Sequence, residues 1–322
     1  MHEGSKKAIF AAFVANLGIA IAKFIAFALT GAASMLAEAI HSVADTGNQS
    51  LLFLGGRRAQ RAESKLHPFG YGRERYFWGF VVALVLFSLG AVFATYEGVE
   101  KLIHPHELDD PAIAFVVLGI AICLELFSFR TAIREANRVR GGRGWWEFIR
   151  TSRSPELPVV LLEDLGALIG LLFALTGVSL TVITGEEVFD ALGSIAIGLL
   201  LGVIAIVLAI EMKSLLIGEA AVPEDEDAIV RALDDSPEVA RVIHLRTLHL
   251  GPDELLVAIK FEPAAGSLDE IGATIDDLEV RIRDAVPSAR RIYLEPDQYR
   301  SSEDDESPPT DREDADAADH QG

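Results

Sequence analysis

A chain of 322 residues is half hydrophobic, with a mean hydropathy of +0.31, yet carries 48 acidic against 28 basic residues. That pairing excludes a simple soluble globule and fits a membrane-embedded part joined to an acidic soluble part. The net charge of −20 lacks the basic footprint of a nucleic-acid binder, and the lone Cys123 excludes a disulfide framework or cysteine zinc site within one chain.

Hydrophobic runs occur at 8–30, 33–56, 77–101, 111–130, 157–182 and 187–212. Each approaches or exceeds the roughly 20 residues that a helix needs to cross the hydrocarbon. The first is longer than a signal-peptide core of about 7–15 residues, and Asn16 and Lys23 interrupt it, so it reads as a retained span. Between the runs, loop charge alternates. The 57–76 loop holds Arg57, Arg58, Arg61, Lys65, Arg73 and Arg75; the 130–156 loop holds Arg130, Arg134, Arg138, Arg140, Arg143, Arg150 and Arg153. The connections at 101–111 and 183–187 are acidic or weakly charged. The positive-inside rule therefore places both basic loops in the cytoplasm, with Lys6, Lys7 and the whole chain after Lys213. Tyr76, Trp78, Trp145 and Trp146 fall near the expected interfaces, where amphipathic rings are favoured.

After residue 217 the periodicity changes. EDEDAIVRALDD (224–235) reads as a short amphipathic helix, ARVIHLRTLHL (240–250) as a strand, and ELLVAIKFE (254–262) as its hairpin partner. Residues 267–286 form a helix with Ser267 as N-cap, and 289–296 a last strand. The order α-β-β-α-β predicts a small ferredoxin-like α+β domain. At about 80 residues it has limited burial of its own, and such a domain often gains stability by dimerising. The expected organisation is a six-helix transmembrane domain (1–216), a cytoplasmic ferredoxin-like domain (217–298) and a disordered acidic tail (299–322) without apolar periodicity.

Two groups of metal-ligand side chains lie inside apolar runs: His41 and Asp45 on the second span, Glu163 and Asp164 on the fifth. Ionisable groups at membrane depth are costly and mark ion pathways or mutual pairing. His41 and Asp45 are four apart and share a helix face. Two more oxygens from Glu163 and Asp164 complete a four-coordinate set suited to zinc. The alternative is a polar cluster, with Ser42, Asn48 and Gln49, that glues helices together. Adjacent helical residues diverge, so Glu163 and Asp164 do not both aim at one point in a regular helix. Asp164 is the safer ligand, and Glu163 is a fourth ligand, a supporting group or a proton acceptor. Asp190 reads as either a helix N-terminal acid or an outer-vestibule residue; Lys23, Glu97 and Glu125 read as structural or interfacial. No nucleophile–base pair appears, and VRGGRG lacks the preceding strand of a phosphate loop, so an enzyme is not indicated.

HSVAD on the second span, the loop HPFGYGRERYFWG, Asp164 followed by Gly170, and DALGSIAIGLLL on the sixth span together resemble the cation diffusion facilitators over residues 8–298. The resemblance implies a homodimeric secondary transporter that moves Zn²⁺, or sometimes Mn²⁺, Fe²⁺, Co²⁺ or Cd²⁺, out of the cytoplasm in exchange for protons. The metal is then substrate, the proton the coupling ion, and no cofactor is called for. His41 and Asp45 match the family's first ligand pair, and Asp164 the second member of the other. Its first member, often histidine, is Val160 here, with Glu163 the nearest substitute, which resembles a branch carrying Glu-Asp on the fifth span. The resemblance also points to His67 in an auxiliary site whose other position is Tyr71, and to His244 with Glu295 and Asp297 as secondary ligands in the soluble domain. The rival expectation is a membrane metal sensor or scaffold that binds without transporting.

Overall fold

The computed structural model describes residues 3–105, 110–264 and 266–299, with side chains from Leu17 onward. Lys6, Lys7 and Asn16 lie outside the described side chains, and the acidic tail from Arg300 outside the described residues. Two compact units emerge: Met1–Ala220 with Leu248–Leu255, and Ala221–Thr247 with Leu256–Gly322.

The first unit is helical. α1 (Glu3–Thr30) and α2 (Ala33–Ala59) are followed by α3 (Glu74–Val85), which runs through a π-helical segment, Leu86–Val92, into α4 (Phe93–Ile103). Then come α5 (Pro111–Val139), the short α6 (Trp145–Thr151), α7 (Glu156–Thr184) and α8 (Val188–Ile217). Proline opens α5, where its missing N–H costs no hydrogen bond. The tight α1–α2 and α7–α8 turns use Gly31 (φ 63) and Gly185 (φ 74), a left-handed conformation open to glycine.

Among the described residues, four stretches are long and apolar enough to cross a membrane: Glu74–Ile103, Pro111–Val139, Glu156–Thr184 and Val188–Ile217. Leu17–Thr30 is a shorter apolar helix. α2 is equally long but falls below them in hydropathy because it carries Glu38, His41, Asp45, Asn48 and Gln49. The polar stripe dilutes its membrane signal. α5 also outruns its apolar stretch, continuing as TAIREANRV to Val139. Hydropathy stops at the arginines, whereas Ala, Arg and Glu still favour helix. Tyr76 is fully buried beside Met212 and Leu215.

α1 packs on α2, α2 on α7, α7 on α5, and α5 back on α1, closing a four-helix ring. The α3–α4 rod packs chiefly on α8, and α8 on α7.

In the second unit, α9 (Pro223–Asp234), β1 (Val239–Gly251), β2 (Glu254–Pro263), α10 (Leu268–Ala285) and β3 (Ala289–Pro296) reproduce the expected element order. The sheet order is β1-β2-β3. Leu255, Val257, Ile259 and Phe261 of β2 are buried, the two-residue period of a strand with one face inward. Ser267 caps α10: its Oγ accepts from Glu270 N (3.4 Å), and Ser267 N donates to Glu270 Oε2 (2.7 Å).

Candidate metal site

Glu38, His41, Ser42, Asp45 and Asn48 follow helical spacing and form one polar stripe along α2. Each neighbour in the ring meets that stripe or the helix facing it. From α1, Lys23 Nζ donates to Glu38 Oε2 (3.0 Å) and Ser42 Oγ (2.7 Å). From α7, Glu163 Oε1 accepts from Asn48 Nδ2 (2.7 Å). From α5, Ser128 Oγ donates to Asp164 Oδ2 (2.9 Å). Glu163 and Asp164 therefore diverge as adjacent helical residues must, the first toward α2 and the second toward α5.

His41 is wholly buried and neither ring nitrogen has a hydrogen-bond partner. Its Nδ1 lies 3.5 Å from Asp45 Oδ1, which is also without a hydrogen bond. Glu163, Glu125, Lys23 and Asp164 all act electrostatically on Asp45. Buried polar atoms are nearly always satisfied, so unpartnered imidazole nitrogens beside carboxylates mark a place where a cation would supply the missing contacts. A neutral imidazole with carboxylate oxygens is a fitting donor set for a borderline-soft dication. Among the described residues no three His, Cys, Asp or Glu side chains converge closely enough to enclose an ion.

The other candidates lie apart. His67 is exposed, its ring 4.6 Å from that of Tyr71. His244 is exposed on β1, while His249 on the same strand is buried. Glu295 and Asp297 already share a cation, the Lys260 ammonium at 3.3 and 2.6 Å.

Asp190 is fully buried and stands as the acidic residue in the first turn of α8, the first of its two expected places. It caps α2 rather than its own helix, accepting from Ala33 N (2.8 Å) and Ser34 Oγ, and it pairs with Lys101 (3.1 Å). Lys23 and Glu125, read from sequence as structural or interfacial, are both buried in the ring. Glu38 escaped the sequence reading, although its place three residues before His41 put it on the same face.

A model of the cation efflux transmembrane domain matches residues 9–217. The chain belongs to the cation diffusion facilitator family. Its membrane helices and its transport domain make it a membrane protein of the cation efflux transporters. Among similar proteins, the human proton-coupled zinc antiporter SLC30A9, mitochondrial, is 28% identical across 91% of this chain and 59% of its own length. Metal tolerance protein C4 of Arabidopsis thaliana is 30% identical across 77% of this chain and 55% of its own length. Magnetosome protein MamB of Magnetospira sp. is 27% identical across 88% and 92%. The chain thus spans about three fifths of the length of the zinc-antiporter relatives. In cation diffusion facilitators the metal is cargo, so a site that binds and then releases it is the feature to explain.

Proposed function

We propose that this cation diffusion facilitator exports a divalent cation, most simply Zn²⁺, by proton antiport through His41, Asp45, Glu163 and Asp164. The observation that carries this reading is the buried His41 imidazole, with both nitrogens unpartnered, beside the Asp45 carboxylate and within the ring that also holds Glu163 and Asp164. Metal and protons compete for the same ligand atoms. An imidazole, whose ordinary pKa is about 6.5, and carboxylates can exchange one for the other across a modest pH difference. The name of the 28% identical relative, a proton-coupled zinc antiporter, supports the same coupling.

The proposal completes the architecture with α1 and α2 as two further spans, making six, and with both termini cytoplasmic in a cell membrane. The second unit is then a cytoplasmic ferredoxin-like domain through which two chains pair. Zn²⁺ enters from the basic-loop side, binds between α2 and α7, and leaves toward the Pro111 end of α5 as protons replace it.

Purified protein in liposomes is expected to accumulate Zn²⁺ when a pH gradient is imposed. Asp45→Ala and Asp164→Ala should each reduce uptake to the level of protein-free liposomes; undiminished transport in both removes the site. One observation favours a second cargo: Val160 supplies no second nitrogen, leaving three carboxylates to one imidazole. Oxygen-rich sets suit Mn²⁺, so stronger competition by Mn²⁺ than by Cd²⁺ would shift the assignment.

A further inference from the structure

Glu125, on α5, is only 9% exposed. It makes no hydrogen bond and no close ion pair among the described residues, and feels only the Lys23 ammonium at longer range, whereas the neighbouring charges have direct partners: Lys23 holds Glu38, Asn48 holds Glu163, and Ser128 holds Asp164. A carboxylate left so in a membrane span is expensive and faces either a partner or an ion path. Glu125 lies on the buried face of α5, in line with Leu118, Ala121 and Ala132, and that helix packs on α7 and α1; its charge acts on Asp45, Asp164 and Glu38.

Its level can be read from the contacts. Glu38 lies against Gly170, whose added Cβ would meet Glu38 Oε1 at 2.5 Å, and Asn48 bonds Glu163, so α2 and α7 run antiparallel. Ser128 is level with Asp164, and Glu125 lies three residues earlier on α5, roughly 4.5 Å nearer its Pro111 end. On the α2 scale this is level with His41 and Ser42, on the Ala33 side of Asp45. That is the side away from the basic loops. An unsatisfied buried atom lies at the same end: Glu38 Oε1 has no hydrogen-bond partner.

We infer that Glu125 is an exit-side carboxylate station, which at the level of His41 takes the divalent cation from Asp45 and Asp164 as the site opens away from the basic loops. The station rests on the four-residue site and the orientation proposed above. A dication leaving two carboxylates for an apolar passage would lose its charge compensation all at once. A further carboxylate about one helical turn along lets the ion exchange ligands stepwise. Because the ion meets Glu125 only after it has been bound, the residue governs the rate of passage and not the loading equilibrium.

The test compares Glu125→Gln with Asp164→Asn in liposomes, using Zn²⁺ uptake, and in detergent, using equilibrium Zn²⁺ binding. Glu125→Gln keeps the volume and removes the charge. Its maximal uptake rate is expected to fall roughly tenfold, while the half-saturating Zn²⁺ concentration and the binding constant stay within about twofold. Asp164→Asn should lose binding itself. Wild-type kinetics in Glu125→Gln overturn the station alone, and so does a loss of binding in step with the loss of rate. Undiminished Zn²⁺ binding in Asp164→Asn overturns the underlying site and the station with it. If Glu125→Gln is not monodisperse, Glu125→Asp serves instead: slower uptake at unchanged half-saturation supports the station, and unchanged rate rejects it.

Discussion

Glu163 and Asp164 show how far one residue's direction can matter. Successive helical residues point about 100° apart, and here the divergence sends Glu163 to Asn48 on α2 and Asp164 to Ser128 on α5. Glu163 is thus held against the helix that bears His41 and Asp45, by a donor one turn beyond Asp45. If Asn48 orients that carboxylate toward the ion, Asn48→Ala should weaken Zn²⁺ binding by roughly tenfold, the usual effect of losing a group that orients a ligand. Isothermal titration in detergent measures it, and an unchanged constant would deny Asn48 that role. The α2 stripe was legible in the sequence, since spacing alone puts His41, Asp45 and Asn48 on one face. The partners of Lys23 and the facing of Glu125 were not, because which helix faces which is a matter of register between distant segments. A single chain's hydropathy has no term for it.

At the scale of elements, hydrogen bonding explains what hydropathy conceals. A helix that begins at a buried position leaves its first N–H groups without water, so they must be satisfied from within the protein. Asp190 does this for α2 from the start of α8, and its second obligation is the buried Lys101. Asp190→Ala removes both and leaves a buried ammonium uncompensated. Breaking such a pair typically costs about 3–5 kcal/mol, so a large drop in the thermal midpoint is expected; an unchanged midpoint would show that Lys101 finds other compensation. The π-helical segment in the α3–α4 rod was hidden for a related reason: the apolar run from 77 to 101 reads the same whatever its hydrogen-bond register. In the second unit the strands and the Ser267 cap were legible because alternation and S-x-x-E are local signals. On β1, His249 is buried with Nε2 unpartnered, and burial holds its pKa down at about 4. Its folded value lies below the ordinary 6.5, so the unfolded chain binds the extra proton first. Stability is therefore fully present above about pH 6.5 and declines as pH falls toward 4, by about 1–3 kcal/mol. Thermal melts should show that slope in the wild type and a flatter one in His249→Phe; equal slopes would assign the acid sensitivity elsewhere.

For the molecule as a whole, the charged groups of the proposed transport path lie on α1, α2, α5 and α7, while the closest helix approaches in the remaining bundle rest on glycine. An added Cβ at Gly98 of α4 would meet Ala191 O at 2.7 Å and Ile195 N at 2.9 Å on α8. Both are backbone atoms that cannot turn aside, so Gly98→Ala must push the helices apart. Packing strain of this kind costs typically about 1–3 kcal/mol. Gly170 of α7 faces instead the carboxylate end of Glu38, a side chain that can move. Gly170→Ala should therefore cost little stability, because the oxygen it displaces, Glu38 Oε1, is not the one that Lys23 holds, but it shifts the free oxygen and disturbs the exit end of the ring. The two substitutions are chemically identical and should give opposite outcomes. Gly98→Ala is expected to lower the thermal midpoint while leaving Zn²⁺ affinity within about twofold, because no ligand-bearing contact is touched. Gly170→Ala should keep the midpoint and slow Zn²⁺ uptake. Parallel melts and liposome uptake on both variants decide it. If each variant loses stability and transport together, the ring does not act as a separable transport element, and the bundle moves and holds the ion as one body.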